Sequence, residues 1–274
     1  MKTSTLEVSG ASIYYEVRGE GPVLLLIPGG SGDASGYTLV GRVLADNYTV
    51  VTFDPRGNSR SAIHGALRDQ RVEEHAEDAH LLLTEVGAEP AYVFGSSSGA
   101  LVGLDLAARH PEQVRGLVAH EPPAATLLPD GERWMAFLRE VHDLHQSEGA
   151  APAMRKFAEG MGLRPQFEAQ GEPPPQVREM LERVGANMEF FFAHEILSFS
   201  RYVPDFDALR AVPVVLAGGE ESRGQMPYLA GAAVAERLGT QVVHFPGDHV
   251  GYTADPLAFA GRLHEVLAKD LGAS

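Results

Sequence analysis

Near-continuous apolar runs recur along the chain, at 23–27, 50–53, 91–94, 117–119, 214–217 and 242–243 with Phe245. Uninterrupted runs of this kind suit strands buried on both faces, as in a parallel sheet covered by helices. The intervening stretches carry helical spacing. After Ser97, the positions Leu101, Leu104 and Ala108 fall at i, i+3 and i+7, and 72–86, 227–238 and 256–267 read as helices too. This βαβα order predicts an open, doubly wound α/β sheet. Residues 5–8 and 13–17 alternate instead, which predicts an antiparallel hairpin at the sheet edge.

One interval breaks the rhythm. Between Leu117 and Val214 lie 97 positions, too many for one crossover. The expected organisation is a core of 1–121 and 206–274 with a helical insertion, a cap, over 122–205. Helical stretches are expected at 134–144, 154–160, 177–184 and 188–199, divided by Pro173-Pro174-Pro175. The chain carries no internal repeat.

Composition narrows the function classes. The chain has 274 residues, 44% hydrophobic and 22% charged, as in folded soluble proteins. Its formal net charge of −15 argues against nucleic acid and anionic membranes as partners, because phosphates are repelled overall. There is no cysteine, so disulfides, thiolate metal sites and cysteine nucleophiles are excluded. That suits a reducing cytoplasm. The first residues lack an apolar signal-peptide region, and no run approaches the roughly 20 apolar residues of a membrane span. The expected location is cytoplasmic. A homodimer is compatible with the sequence.

The strongest chemical signal is Phe94-Gly95-Ser96-Ser97-Ser98-Gly99-Ala100. It holds Gly-x-Ser-x-Gly centred on Ser97, after an expected strand and at the start of an expected helix. That context is what a nucleophile elbow needs: small neighbours permit a sharp turn, and the helix N-terminus favours developing negative charge. A serine hydroxyl needs a base. Phe245-Pro246-Gly247-Asp248-His249-Val250-Gly251 places His249 in a turn after the last strand, at the edge where the serine also lies. The loop Pro28-Gly29-Gly30-Ser31-Gly32 lets main chain approach a substrate closely, so the Gly30 and Ser98 amides are the expected oxyanion donors.

These motifs, in this order, resemble the α/β-hydrolase superfamily over essentially the whole chain. With them goes Asp54-Pro55-Arg56-Gly57-Asn58-Ser59-Arg60-Ser61 after the second parallel strand. The resemblance implies a mostly parallel, eight-stranded sheet with helices on both faces and an inserted helical cap. It also implies a Ser-acid-His chain order. Ser97 argues against the family's epoxide hydrolases and dehalogenases, which carry Asp at the elbow.

Two acids fit that order. Glu221, in Gly218-Gly219-Glu220-Glu221-Ser222, holds the usual family spacing, with Glu220 beside it. Glu121, in His120-Glu121-Pro122-Pro123, ends a buried strand one connection after the elbow strand. A carboxylate there needs a partner to offset its burial, and an imidazole N–H would provide one. The pair of motifs Gly-Ser-Ser-Ser-Gly-Ala and Ala-His-Glu-Pro-Pro also resembles the subgroup containing fungal zearalenone lactonases. In that subgroup the glutamate after this strand is the triad acid, so Glu121 is preferred and Glu221 is the alternative. The subgroup's tryptophan lies on a later cap helix, whereas Trp134 is early here and the later segment is Phe190-Phe191-Phe192.

Gly29, Ser31, Trp134, Phe137, Phe191, Phe192 and Val250 are expected to line an apolar substrate site. His142 and His145 lack a third ligand, His194-Glu195 lacks the zincin spacing, and no P-loop lysine follows the glycine loop, so no metal or cofactor is expected. His120 is expected to pack or orient Glu121. Asp54 and Arg56 are expected to tie their loop together. The expected activity is cofactor-free hydrolysis of an ester or lactone in a small apolar molecule. A carbon–carbon bond hydrolase, a perhydrolase, a peptidase for small peptides and a ligand receptor on the same fold are the alternatives.

Overall fold

A computed structural model describes residues 1–87, 90–163 and 175–272. The chain opens with an antiparallel hairpin, β1 (Lys2–Val8) and β2 (Ala11–Arg18), in the register Lys2 to Val17. The parallel strands follow: β3 (Val23–Ile27) and β4 (Thr49–Phe53), joined through α1 (Thr38–Leu44), and then the short β5 (Ala62–Ile63) against β2. Next come α2 (Val72–Glu85), β6 (Ala91–Ser96), α3 (Ser98–Arg109) and β7 (Val114–His120). Among the described residues, four α-helices stand between β7 and β8 (Val214–Gly219): α4 (Gly131–Glu148), α5 (Ala150–Met161), α6 (Pro175–Phe190) and α7 (Ile196–Ser200). A π-helical turn, Phe191–Glu195, joins α6 to α7. The chain ends through α8 (Met226–Leu238), β9 (Val243–Phe245), α9 (Gly251–Ala254) and α10 (Pro256–Asp270).

The strand order is β1-β2-β4-β3-β6-β7-β8-β9, with β5 beside β2. The described sheet therefore has nine strands where the resemblance implies eight. The extra one is the two-residue β5, whose Ala62 and Ile63 pair with Ser12 and Ala11. It is too short to leave a hydrophobic pattern. Pro173 and Pro174 of the expected break lie outside the described residues.

The continuous apolar runs are explained by two cores, one on each face of the sheet. Leu25, Ile27, Val51, Phe53 and Val93 point toward α2 and α3 and pack with Ala79, Leu83, Leu101 and Leu104. The alternate residues Leu24, Leu26, Val50, Tyr92 and Phe94 point the other way, against α1 and α10, and pack with Val40, Leu44, Leu263 and Leu267. Each fully buried leucine of this kind contributes about 1.5–3 kcal/mol. A third cluster joins α4, α5 and the π turn to α8 through Leu138, Val141, Ala153, Phe192, Ile196 and Met226. The outcome for the site is positional: parallel strands β3, β6, β7, β8 and β9 bring their C-terminal ends to one edge, where such folds hold their chemistry.

Candidate active site

Ser97 sits between β6 and α3 with φ 55° and ψ −127°, a backbone conformation that L-residues rarely adopt. The flanking sequence forces it there. A Cβ on Gly95 would lie 2.3 Å from the Gly99 carbonyl oxygen, and a Cβ on Gly99 would lie 2.4 Å from the carbonyl oxygens of both Ile27 and Pro28. Only glycine permits a turn this tight against β3. The turn is fixed to the next strand, because the Ser97 amide donates to the His120 carbonyl at 2.9 Å. Ser97 is partly exposed, while Ser96, Ser98 and Gly99 around it are buried.

Glu121 follows β7, is fully buried, and also holds a left-handed backbone, with φ 50°. Its amide extends the sheet ladder to Ala217 at 2.9 Å. The carboxylate faces three donors. His249 Nδ1–H donates to Oε2 at 2.6 Å, the Gly219 amide donates to Oε1 at 2.8 Å, and the Ser222 hydroxyl also donates to Oε1. Burial pushes the Glu121 pKa up, but the hydrogen bond and charge of His249, with help from His120 and Ser222, outweigh it and hold the carboxyl at about 2. With Nδ1 committed as a donor, Nε2 of His249 carries the lone pair that can take a proton.

Glu221 lies elsewhere. It is exposed, and its amide donates to the Gly247 carbonyl at 3.0 Å. The Gly-Gly-Glu-Glu-Ser loop thus meets Glu121 through the Gly219 amide and the Ser222 hydroxyl. Ser222 carries no motif of its own in the sequence, where it stands behind two acids. His120 is fully buried among Phe94, Phe245 and Phe259, with its ring 6.4 Å from that of His249. Burial lowers its pKa to about 4, so it is a neutral packing group at neutral pH.

The glycine loop closes as a turn, with the Gly32 amide on the Gly29 carbonyl at 2.9 Å and Ser31 at φ 59°. A Cβ on Gly29 would lie 2.9 Å from Ser97 Cβ, so this loop runs directly beside the elbow. Ser98 begins α3, and first-turn amides have no acceptor within their own helix. Two asparagines hold the loop: Asn58 Nδ2 donates to the Gly32 carbonyl at 2.9 Å, and Asn187 Nδ2 to the Ser31 carbonyl at 3.1 Å. Asn187, buried on α6, also accepts from the Ser59 amide at 2.7 Å. It links the helical segment to both core loops. No local pattern in the sequence marks it, since its partners lie more than a hundred residues away.

The expected aromatic lining divides. Phe191 places its ring on the glycine loop, where a Cβ on Gly30 would meet it at 2.3 Å. Its neighbour Phe190 stands over Gly57 in the same way. Phe192 corrects the expectation: it is fully buried and packs against Phe157 and His145 within the helical segment. Phe137 turns onto Gly160 of α5, and Trp134 stands edge-on to Phe137 at 6.0 Å. Phe137 and Phe192 join helices to one another, the ordinary way for large apolar groups to be buried, while Trp134 packs on Phe137 of its own helix. Val250 begins the turn into α9, its amide on Asp248 Oδ1 at 3.0 Å. Arg56 also departs from the expectation. It makes a two-pronged ion pair with Asp78 on α2, while Arg60 grips the buried Asp54. His145 pairs with Glu189 at 2.6 Å, and among the described residues no group of three or more ligating side chains could hold a metal ion. Among the described residues no helix is long and apolar enough to cross a membrane.

Comparison with known proteins identifies the fold family. A family model for the alpha/beta hydrolase fold matches residues 22–158. The chain is 41% identical to the uncharacterized hydrolase YraK of Bacillus subtilis (strain 168), over 98% of this chain and 97% of that protein. It is 26% identical to a zearalenone hydrolase of Cladophialophora bantiana, over 99% and 98% of the two chains. Among solved structures, a thermophilic esterase from Thermogutta terrifontis matches with a TM-score of 0.76 at 20% identity, over 98% and 99% of the chains. At that identity the likeness concerns the fold.

Proposed function

The chain belongs to the alpha/beta hydrolase fold family, and from that premise we propose that it is a serine hydrolase cleaving an ester or lactone bond in a small apolar molecule. The observation that carries this reading is the buried Glu121–His249 hydrogen bond of 2.6 Å at the sheet edge where the strained Ser97 turn stands. Similarity to a zearalenone hydrolase supports the lactone or ester class.

In this reading Ser97 Oγ attacks the substrate carbonyl carbon and its proton passes to His249 Nε2. Glu121 keeps the imidazole in the required tautomer and stabilises its charged form. The Gly30 and Ser98 amides donate to the oxyanion. Collapse of the tetrahedral intermediate breaks the carbonyl–oxygen bond, and His249 returns the proton to the departing alkoxide. In a lactone that alcohol stays tethered to the acyl chain. Water then gives a proton to His249 and attacks the acyl carbon, and Ser97 leaves with its proton restored. The helical segment over residues 122–205 acts as the cap, with Phe191 facing the substrate.

The test is hydrolysis of p-nitrophenyl acetate by the purified protein and by Ser97→Ala. Turnover that disappears in the variant, with a mass increase of one acetyl group trapped on Ser97 in the wild type, is the expected result. Equal rates in both proteins would refute the reading.

A further inference from the structure

Beside the start of α3, a partly open cavity of about 10 Å³ is lined by Gly30, Ser98, Asn58, His75, Glu195 and Phe199 among others. That is about the space one water molecule needs. Three polar atoms of its lining residues are buried and have no hydrogen-bond partner among the described residues: Glu195 Oε1, His75 Nε2 and Asn58 Oδ1. Glu195 is 3% exposed and His75 is 6% exposed. Their facing atoms stand 3.9 Å apart, beyond direct hydrogen bonding but within the span of one bridging molecule. His75 is held edge-on to Phe199 at 5.1 Å, so its ring cannot swing away freely.

We propose that this cavity binds a single structural water joining Glu195, His75 and Asn58, and that Glu195 and His75 thereby act as positioning residues for the Gly30 amide. The positioning half rests on Gly30 as an oxyanion donor; the water site does not.

The donors and acceptors balance. Burial pushes the Glu195 carboxyl up to about 8, so below that pH it is protonated and can donate. Burial, with the nearby Arg56, pushes His75 down to about 3, so its ring is neutral and Nε2 can accept. Asn58 has already given its Nδ2 to the Gly32 carbonyl, which leaves Oδ1 as an acceptor. A water that accepts from Glu195 and donates to His75 and Asn58 makes three bonds, the usual number for a buried water. Arg56 is committed to Asp78, so His75 is the ionisable side chain that faces Glu195 across the cavity.

The position explains the positioning role. Glu195 closes the π-helical turn whose first residue, Phe191, lies on Gly30. Asn58 holds the other end of the same loop at Gly32. One water would therefore clasp the helical segment, α2 and the glycine loop together. π turns occur mostly as single turns within α-helices, frequently at functional sites.

The experiment joins a crystal structure at about 1.5 Å with the kinetics of Glu195→Met and Glu195→Gln on p-nitrophenyl acetate. Expected are one ordered water within hydrogen-bond reach of all three side chains, a kcat loss of about tenfold or more in Glu195→Met with KM within about twofold, and recovery in Glu195→Gln. Gln keeps an N–H donor and a carbonyl acceptor at this place. Absence of that water from the wild-type map overturns the site. A Glu195→Met enzyme with wild-type kcat overturns the positioning role. Should the wild type itself fail to cleave the ester, the hydrolase reading and the positioning role fall together, and the map alone decides the water site.

Discussion

Replacing Glu121 by glutamine tests how the buried carboxylate is used. The side chain keeps its size, so the turn at φ 50° and the sheet contact through its amide should survive. What changes is the polarity of one end. A glutamine can offer its carbonyl to the Gly219 amide and the Ser222 hydroxyl, or to His249, but not to both sides. With its amide group toward His249, the ring must move its proton to Nε2 and can no longer act as a base. The lost charge adds to this. The carboxyl titrates at about 2, below its ordinary range, because the pull of His249, with His120 and Ser222, outweighs its burial, so a neutral amide there also stabilises the imidazolium less. Together with the tautomer effect, kcat for p-nitrophenyl acetate should fall about 10³- to 10⁴-fold in Glu121→Gln, with KM little changed. The exposed Glu221, changed to Gln, should leave kcat within about twofold. Stopped-flow or steady-state assays of both variants, with circular dichroism to verify folding, make the comparison. A loss below tenfold in Glu121→Gln, or a larger loss in Glu221→Gln, would refute the assignment.

Two further outcomes rest on the buried side chains of Asn187 and Glu195. Asn187→Ala should lower the unfolding free energy by about 1–3 kcal/mol, because the Ser59 amide and the Ser31 carbonyl lose their partner; urea denaturation reads this directly, and an unchanged midpoint would remove Asn187 from the linkage between segment and core. Glu195 binds its proton more tightly in the fold, at about 8, than in the unfolded chain, so its contribution to stability is full below about pH 4.5 and declines as pH rises toward 8. The stability of Glu195→Gln relative to wild type should therefore rise across that window and level off above it; a constant difference from pH 5 to 8 would show that the carboxyl is not held neutral.

The sheet was legible because its strands are covered on both faces. At 23–27 and 91–94 every position is apolar, and the structure divides each run between two cores. Short elements escaped. Helix α1 has seven residues with Gly41 at its centre and no side-chain cap, so nothing announces it. The elbow and the late histidine were readable because steric need writes glycines around Ser97 and chain order places His249 last. The choice between Glu121 and Glu221 was harder, since both acids follow strands; what separates them in space is burial, which spacing does not encode. His75 and Glu195 were invisible for a related reason. In Val-Glu-Glu-His-Ala-Glu-Asp, a histidine among acids reads as a solvated helix face, yet the ring is buried against Phe199.

The hold that Asn187, Phe190 and Phe191 keep on the core loops has a consequence for modularity. A segment inserted between two strands is ordinarily free to be exchanged, since its ends are its only obligation to the host. Here the guest supplies bonds and rings to the turns carrying Gly30, Ser31, Gly57 and Ser59. A chimera that swaps residues 122–205 for another family member's helices would inherit a new roof and lose part of its floor. Changes of specificity in this lineage are then expected to proceed by point substitution within the segment, with Asn187 and the glycines beneath Phe190 and Phe191 retained as a set.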